Sequence, residues 1–273
     1  MVLGLQFVVV AASAGLMQVG PAQAAETVTT TKACLSNVPL GSEPVVVTGP
    51  DDDGIFHGGG NAYFLTDIHA QTPLVSPNPE AVRQDSDAMV FEAYSAGPAN
   101  RWDLVPAWIV RRGEHVSQVL QERLAESGQA IVSPALAGSD CLFALKRAES
   151  RALKIDRGIW QHTQVFSTRS PADLLNEVGN YIIVEGRIVS LGKTQRTRYL
   201  NFGYRWKSDF TVTLKVAEEA AFETMLADQG HGLDGLEGAA VRVRGVIQRW
   251  DGPHIELVHP GQLDVIEPAK GSQ

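Results

Sequence analysis

Apolar positions in the first half of the chain come in short alternating runs before they recur at helical spacing. Pro44-Val45-Val46-Val47-Thr48 is β-branched, Ile55-Phe56-His57 is a second short run and Ala62-Tyr63-Phe64-Leu65 a third. Asp51-Asp52-Asp53-Gly54 and Gly58-Gly59-Gly60 lie between them and supply turn residues, so a three-stranded meander is predicted. Residues 73–88 are rich in Pro, Ser, Asn and Asp and read as a long loop. Strands follow from Ala88 to Tyr94 and from Trp102 to Val110. Val116, Val119, Leu120 and Leu124 then recur at helical spacing up to a stop at Gly128, and Ile131-Val132 is a short strand. Ser139 or Asp140 is placed to cap a last helix through about Arg151, with Leu142, Leu145, Ala148 and Ala152 on one face.

A polar stretch from His162 to Glu177, with one helical segment at Pro171-Ala172-Asp173-Leu174-Leu175, reads as a linker. After it the alternation resumes in five strands: Tyr181 to Leu191, Tyr199 to Phe202, Phe210 to Val216, Val241 to Gln248 and Ile255 to Val258. A helix from Glu218 to Ala227 separates the third from the fourth. The pattern therefore predicts a mainly β chain with helices, an α+β protein made of two small five-stranded barrels.

The composition, 273 residues with 44% hydrophobic and 20% charged, suits two compact domains. The net charge of -8 argues against a surface that traps polyanions as a whole. Val2 to Met17 is a short apolar run, and Ala22-Gln23-Ala24 has the small-x-small form that signal peptidase accepts, so 1–24 is expected to be an export signal cleaved after Ala24. Against this, the run has no Lys or Arg before it; a buried helix or a membrane anchor is the competing reading, although the run is short for a span. The expected organisation is signal 1–24, leader 25–43, first domain 44–160, linker 161–178, second domain 179–267 and tail 268–273. Two cysteines, Cys34 and Cys141, are the whole complement. In an exported, periplasmic or secreted chain an even count favours a disulfide; two separate buried thiols are the alternative.

Asn100-Arg101-Trp102-Asp103-Leu104-Val105-Pro106-Ala107-Trp108-Ile109-Val110, the helix ending at Gly128-Gln129-Ala130 and the closing Arg157-Gly158-Ile159-Trp160 resemble the staphylococcal-nuclease-like (thermonuclease) family. The resemblance implies a partly open barrel of OB type and a phosphodiesterase site that depends on calcium. Placed on this chain, the family's metal-binding aspartate turn falls on Asp51 to Gly54, with Asp53 at a ligand position. Its phosphate-binding arginine falls on Phe64, its second calcium ligand on His69, its general-base glutamate on Thr72 and its other arginine on Leu104. Four of these five positions are changed. Hydrolysis of a phosphodiester needs cations for the non-bridging oxygens and a base for water, and neither Phe64 nor Leu104 can stabilise an anion. Carboxylates outnumber bases fifteen to ten between residues 45 and 160, and no Lys or Arg occurs between Lys32 and Arg83. Asp53 and His69, with Asp51, Asp52 and Asp67, remain candidates for an altered site holding calcium or another divalent metal; a solvated acidic turn is the other reading.

The second half, through Val184-Glu185-Gly186-Arg187, Asp209-Phe210-Thr211-Val212-Thr213, Val241-Arg242-Val243-Arg244-Gly245 and Gly252-Pro253-His254-Ile255-Glu256-Leu257, resembles bacterial OB-fold modules. Between Arg187 and Lys207 lie six bases and no carboxylate, with aromatics interleaved. Lys193, Arg196, Arg198, Tyr199, Tyr204 and Trp206 are the candidate contacts for a single strand, because phosphates seek charge and bases seek flat apolar faces. A solvated hairpin whose rings close the barrel is the alternative. His254 and His259 read as packing residues. No nucleophile elbow, phosphate-cradling loop or zinc spacing is present. The sequence thus predicts a nuclease-like protein that has lost its chemistry and needs no cofactor. It would bind a protein, an envelope polyanion or a single-stranded nucleic acid; an active metal-dependent nuclease is the competing expectation.

Overall fold

A computed structural model describes residues 31–36, 38–39, 42–70, 90–111, 118–205 and 207–267. The signal run with Ala24, Thr72, loop 73–88, Val116, Trp206 and tail 268–273 lie outside the described residues. The chain is α+β, with many short strands and a few helices. In the first half the strands are β1 (Val45–Val47), β2 (Phe56–Gly58), β3 (Asn61–Leu65), β4 (Ile68–Ala70), β5 (Phe91–Ser95), β6 (Leu104–Arg111) and β7 (Ala130–Val132), with helices α1 (Leu120–Glu126) and α2 (Ser139–Lys154). Five of them form a sheet in the order β1-β5-β6-β3-β2, in which β3 and β6 run parallel. A bridge between Thr48 and His57 brings the two edge strands together, so the sheet is nearly closed into a barrel. The β2–β3 hairpin turns through Gly59 and Gly60, at φ +59° and +80°, a geometry that a two-residue primed turn needs and that side chains resist.

β6 explains how one strand serves two cores. Residues Pro106 to Val110 are all buried, because alternate side chains go to opposite sides. Ala107 and Ile109 enter the barrel with Val47, Phe56, Tyr63 and Phe91. Trp108 and Val110 face the helices with Val119, Leu142, Leu145 and Ala148. Cys34 and Cys141 lie in that second core and form a disulfide that links a helical turn at 31–36 to α2. Neither Ser139 nor Asp140 caps α2: the N-cap is Gly138, with no side-chain cap, and both polar residues already belong to the first turn. Gly128 and Gly158 meet backbone to backbone, and Ile159 N–H donates to the Gly128 carbonyl at 2.8 Å, so both glycine motifs of the sequence serve one contact.

The second half holds β8 (Phe166–Ser167), α3 (Pro171–Asn176), β9 (Tyr181–Arg187), β10 (Ser190–Lys193), β11 (Thr197–Asn201), β12 (Thr211–Lys215), α4 (Glu219–Ala227), β13 (Ala240–Val246), β14 (Gln248–Trp250), β15 (Gly252–Leu257) and β16 (Leu263–Glu267). One sheet runs β10-β11-β12-β15-β14, with β12 and β15 parallel, and another β16-β13-β9-β8. Two predicted long strands are each broken, Tyr181 to Leu191 at Ile188 and Val241 to Gln248 at Ile247, where the chain turns a side chain into the core and passes from one sheet to the other. The expected linker contributes β8, which pairs parallel with β9. β4 and β16 form where no strand was expected.

β9 and β13 are two-faced in the same way as β6. Ile182, Val184, Val241 and Val243 enter the core of the second half, while Tyr181 and Ile183 pack on Ile131, Ala152 and Trp160 of the first. On that shared face Arg244 is buried and donates to Glu149 at 2.9 Å and to the Val132 carbonyl at 2.9 Å. Glu149 in turn accepts from Val132 N–H at 2.7 Å. Lys146 donates to Asp264 at 2.6 Å and to the Gly261 carbonyl at 2.7 Å.

A second buried carboxylate is less well served. Glu122 on α1 leaves Oε2 without a hydrogen-bond partner. Burial first, and the neighbouring Glu126 carboxylate second, raise its pKa from 4.5 to about 7. Between those two values the folded protein keeps a proton that the unfolded chain has released, so stability falls as pH rises through the interval. Glu122→Gln is expected to be about 1–2 kcal/mol more stable than wild type at pH 8 and equal to it at pH 4, after allowing for solvent screening. Urea unfolding at the two pH values checks this, and equal differences at both would contradict it.

Candidate functional site

Of the positions on which the nuclease resemblance would place its chemistry, the described ones are Asp53 in a turn and Phe64, His69 and Leu104 on strands. Asp51 closes its own turn: its carboxylate accepts from Asp53 N–H at 3.0 Å and Ile55 N–H at 2.9 Å, and pairs with His57 Nε2 at 2.7 Å. The His57 bond, followed by the bond from Ile55, holds the Asp51 pKa below the usual carboxylate value. Asp53 is exposed on the rim of this turn. Phe64 and Leu104 are half-buried on adjacent parallel strands, with Ala62 opposite Leu104 and Phe64 opposite Pro106, so the outer barrel face at this point is apolar.

Asp67 is buried in a left-handed conformation at φ +60°. Its carboxylate accepts from the N–H groups of Ala135 at 2.8 Å, Leu136 at 3.1 Å and Ala137 at 2.9 Å, and from Thr66 Oγ1 at 2.7 Å. That set saturates a carboxylate and fixes the loop before α2. His69 is drawn away to the second half: it sits on β4 opposite Ile131 and stacks on Tyr181, with ring centroids 5.5 Å apart. Desolvation lowers its pKa. Calcium takes six to eight oxygens. With Asp51 and Asp67 committed and His69 turned elsewhere, the residues present do not fit that ion, and no group of three or more metal-binding side chains occurs among the described residues.

His69 instead lines a cleft of about 870 Å³ where the two halves meet, together with Asp156, His162, Glu177, Asn180 and Tyr181. No Lys or Arg lines it, so it offers no charge for a phosphate; Asp53, Phe64 and Leu104 are not part of it.

The basic and aromatic stretch is divided by partners that come from elsewhere in the chain. Lys193 pairs with Glu219 at 2.6 Å. Arg198 is buried between Glu219 at 3.0 Å and Asp234 at 2.7 Å. Arg187 pairs with Glu267 at 2.9 Å. Arg196 is exposed in the turn before β11, and Tyr199 is half-buried on that strand. Tyr204, 93% exposed, lies beyond the other end of β11 with exposed Arg205.

That end meets a second hairpin. A Cβ added at Gly252 would stand 2.7 Å from the Asp209 carbonyl, so the β14–β15 turn lies against the loop that carries Tyr204 and Arg205. At this turn Trp250, 57% exposed, stacks on His254 with centroids 4.0 Å apart and planes 8° apart. His254 is buried, shares a 2.8 Å hydrogen bond with Thr213 through Nε2, and desolvation lowers its pKa to about 4, so the ring is neutral at physiological pH. It packs, as its sequence context predicted; His259 has its own task, with Nδ1 accepting from Gly261 N–H at 3.0 Å. Sequence reading passed over Trp250. The available signal was Asp251-Gly252, a turn pair that leaves the preceding aromatic at a strand tip. No protein-family model matches the chain, and no curated protein matches it significantly.

Proposed function

We propose that this chain is an exported binding or scaffolding module built on a nuclease-like framework, without phosphodiesterase chemistry of its own. The observation that carries the reading is that, of the described positions on which the resemblance would place its chemistry, all but the exposed Asp53 serve structure. Phe64 and Leu104 make an apolar face, His69 packs on Tyr181, and the Asp51 and Asp67 carboxylates hold turns. The second half is read as an OB-type barrel as well. Support comes from the parallel β12–β15 pair and the antiparallel β9–β13 pair, with β9 and β10 as one bent strand joining the two sheets, an arrangement that parallels β3–β6 in the first half. Export, and with it a periplasmic or secreted location, is supported by the apolar start of the chain and by the Cys34–Cys141 bond. No helix among the described residues is long and apolar enough to cross a membrane.

The test is incubation of the purified protein with single- and double-stranded DNA in calcium, magnesium or manganese. No cleavage is expected above a metal-only control. Metal-dependent cleavage that Asp53→Ala abolishes would establish the nuclease reading instead.

A further inference from the structure

In the second half Arg187, Lys193, Arg198, Lys215, Arg242 and Arg244 pair with carboxylates, and the end that carries Trp250 adds exposed basic groups. Asp209 is used internally: it accepts from Arg205 N–H at 2.8 Å and from Ser208 Oγ at 3.3 Å. Arg205 and Arg249 are exposed there, with Asp251 at the turn. Two rings, Tyr204 and Trp250, stand out from the same two loops.

Trp250 is also held ready. One face of the indole lies flat on His254, whose own ring is fixed by Thr213, so the side chain is ordered before any ligand arrives. Since the residue is still more than half exposed, its other face is open to solvent. An exposed, pre-ordered aromatic face at a sheet end that also carries exposed guanidinium groups matches the needs of an unpaired nucleotide: a π-face for the base and charge for the phosphate. Duplex bases are already stacked on one another and cannot use the indole.

We propose that the Trp250 end of the β10-β11-β12-β15-β14 sheet binds single-stranded nucleic acid. Trp250 and Tyr204 stack on bases, and Arg205 and Arg249 hold the flanking phosphates. This inference rests on the binding-module reading above and gives it a ligand. The site lies at the opposite end of β11 from Arg196, and Lys193 and Arg198 take no part in it because Glu219 holds them.

The experiment is fluorescence anisotropy of a labelled oligothymidine of about 12 nucleotides titrated with the full chain at low salt. Binding that weakens with salt is expected. Trp250→Ala should reduce affinity about tenfold to a hundredfold and Trp250→Phe less. Arg196→Ala should change affinity by less than about twofold. Trp250 is exposed, so its variants should fold, and circular dichroism verifies that they do. An unchanged Trp250→Ala affinity, or an Arg196→Ala loss as large as that of Trp250→Ala, overturns the site. Absence of wild-type binding overturns the ligand, as does a Trp250-dependent response to neutral oligosaccharides alone. The same oligonucleotide is run on a gel after incubation with metal: cleavage defeats the non-catalytic reading itself, whereas neither cleavage nor binding defeats only the assignment made here.

Discussion

Replacing Arg244 by Met is expected to lower the unfolding free energy by about 3–5 kcal/mol. The guanidinium is 1% exposed and the Glu149 side chain 2% exposed, so the substitution leaves a carboxylate in the interior with only the Val132 N–H to satisfy it. A companion variant makes the argument specific. Replacing both Arg244 and Glu149 by apolar residues removes the stranded charge, and a simple buried ion pair would then recover nearly all of the loss. Here recovery should stop short by about 1–3 kcal/mol, because on the unpaired side of β7 Val132 N–H loses its acceptor and Val132 C=O keeps only the Tyr181 hydroxyl, at 3.4 Å. Urea unfolding of wild type, both single variants and the double variant measures this. Full recovery in the double variant would show that Val132 is satisfied in some other way.

Removing the Cys34–Cys141 bond by a double Ala substitution should cost about 4–5 kcal/mol, the chain-entropy value for so long a loop. The bond spans 107 residues and ties the leader to α2 across the first half. Both cysteines are fully buried beside Trp108 and Leu145, so the unbridged alanines also lose packing in the helical core. Unfolding of the variant, compared with wild type in reducing and non-reducing buffer, separates the two contributions. Wild type under reduction should approach the variant, and a variant as stable as oxidised wild type would contradict the expectation.

Strand positions were legible wherever a run of apolar or β-branched residues marks them locally. The apolar run within Trp102 to Val110 predicted β6, and the β-branched run at Pro44 predicted β1. Arg244 was not legible. In Val241-Arg242-Val243-Arg244 it occupies the outward position of an alternating strand, and nothing local says that another part of the chain covers that face. The same limit explains Lys193 and Arg198, whose stretch contains no acid; their partners Glu219 and Asp234 arrive from α4 and the turn after it. Asp67 was grouped with a solvated acidic turn, although its hydrogen-bond partners lie 68 to 70 residues further on. In each case the deciding contact is long-range, and charge read by segment misassigns it. At the positions that the nuclease resemblance implies, the apolar side chains of Phe64 and Leu104 speak for themselves, but the turning of His69 toward Tyr181 depends on how the halves meet.

The cluster around Arg244 also decides how the gene can be cut. Chain boundaries chosen at the polar stretch after Trp160 look natural for producing either half alone. The first fragment would then carry Glu149 and a row of apolar residues, Ile131 and Ala152 among them, to solvent, and the second would carry Arg244, Tyr181 and Ile183. Neither fragment can satisfy what it exposes. Moving either half into another context would require redesign of the face it shares with its neighbour.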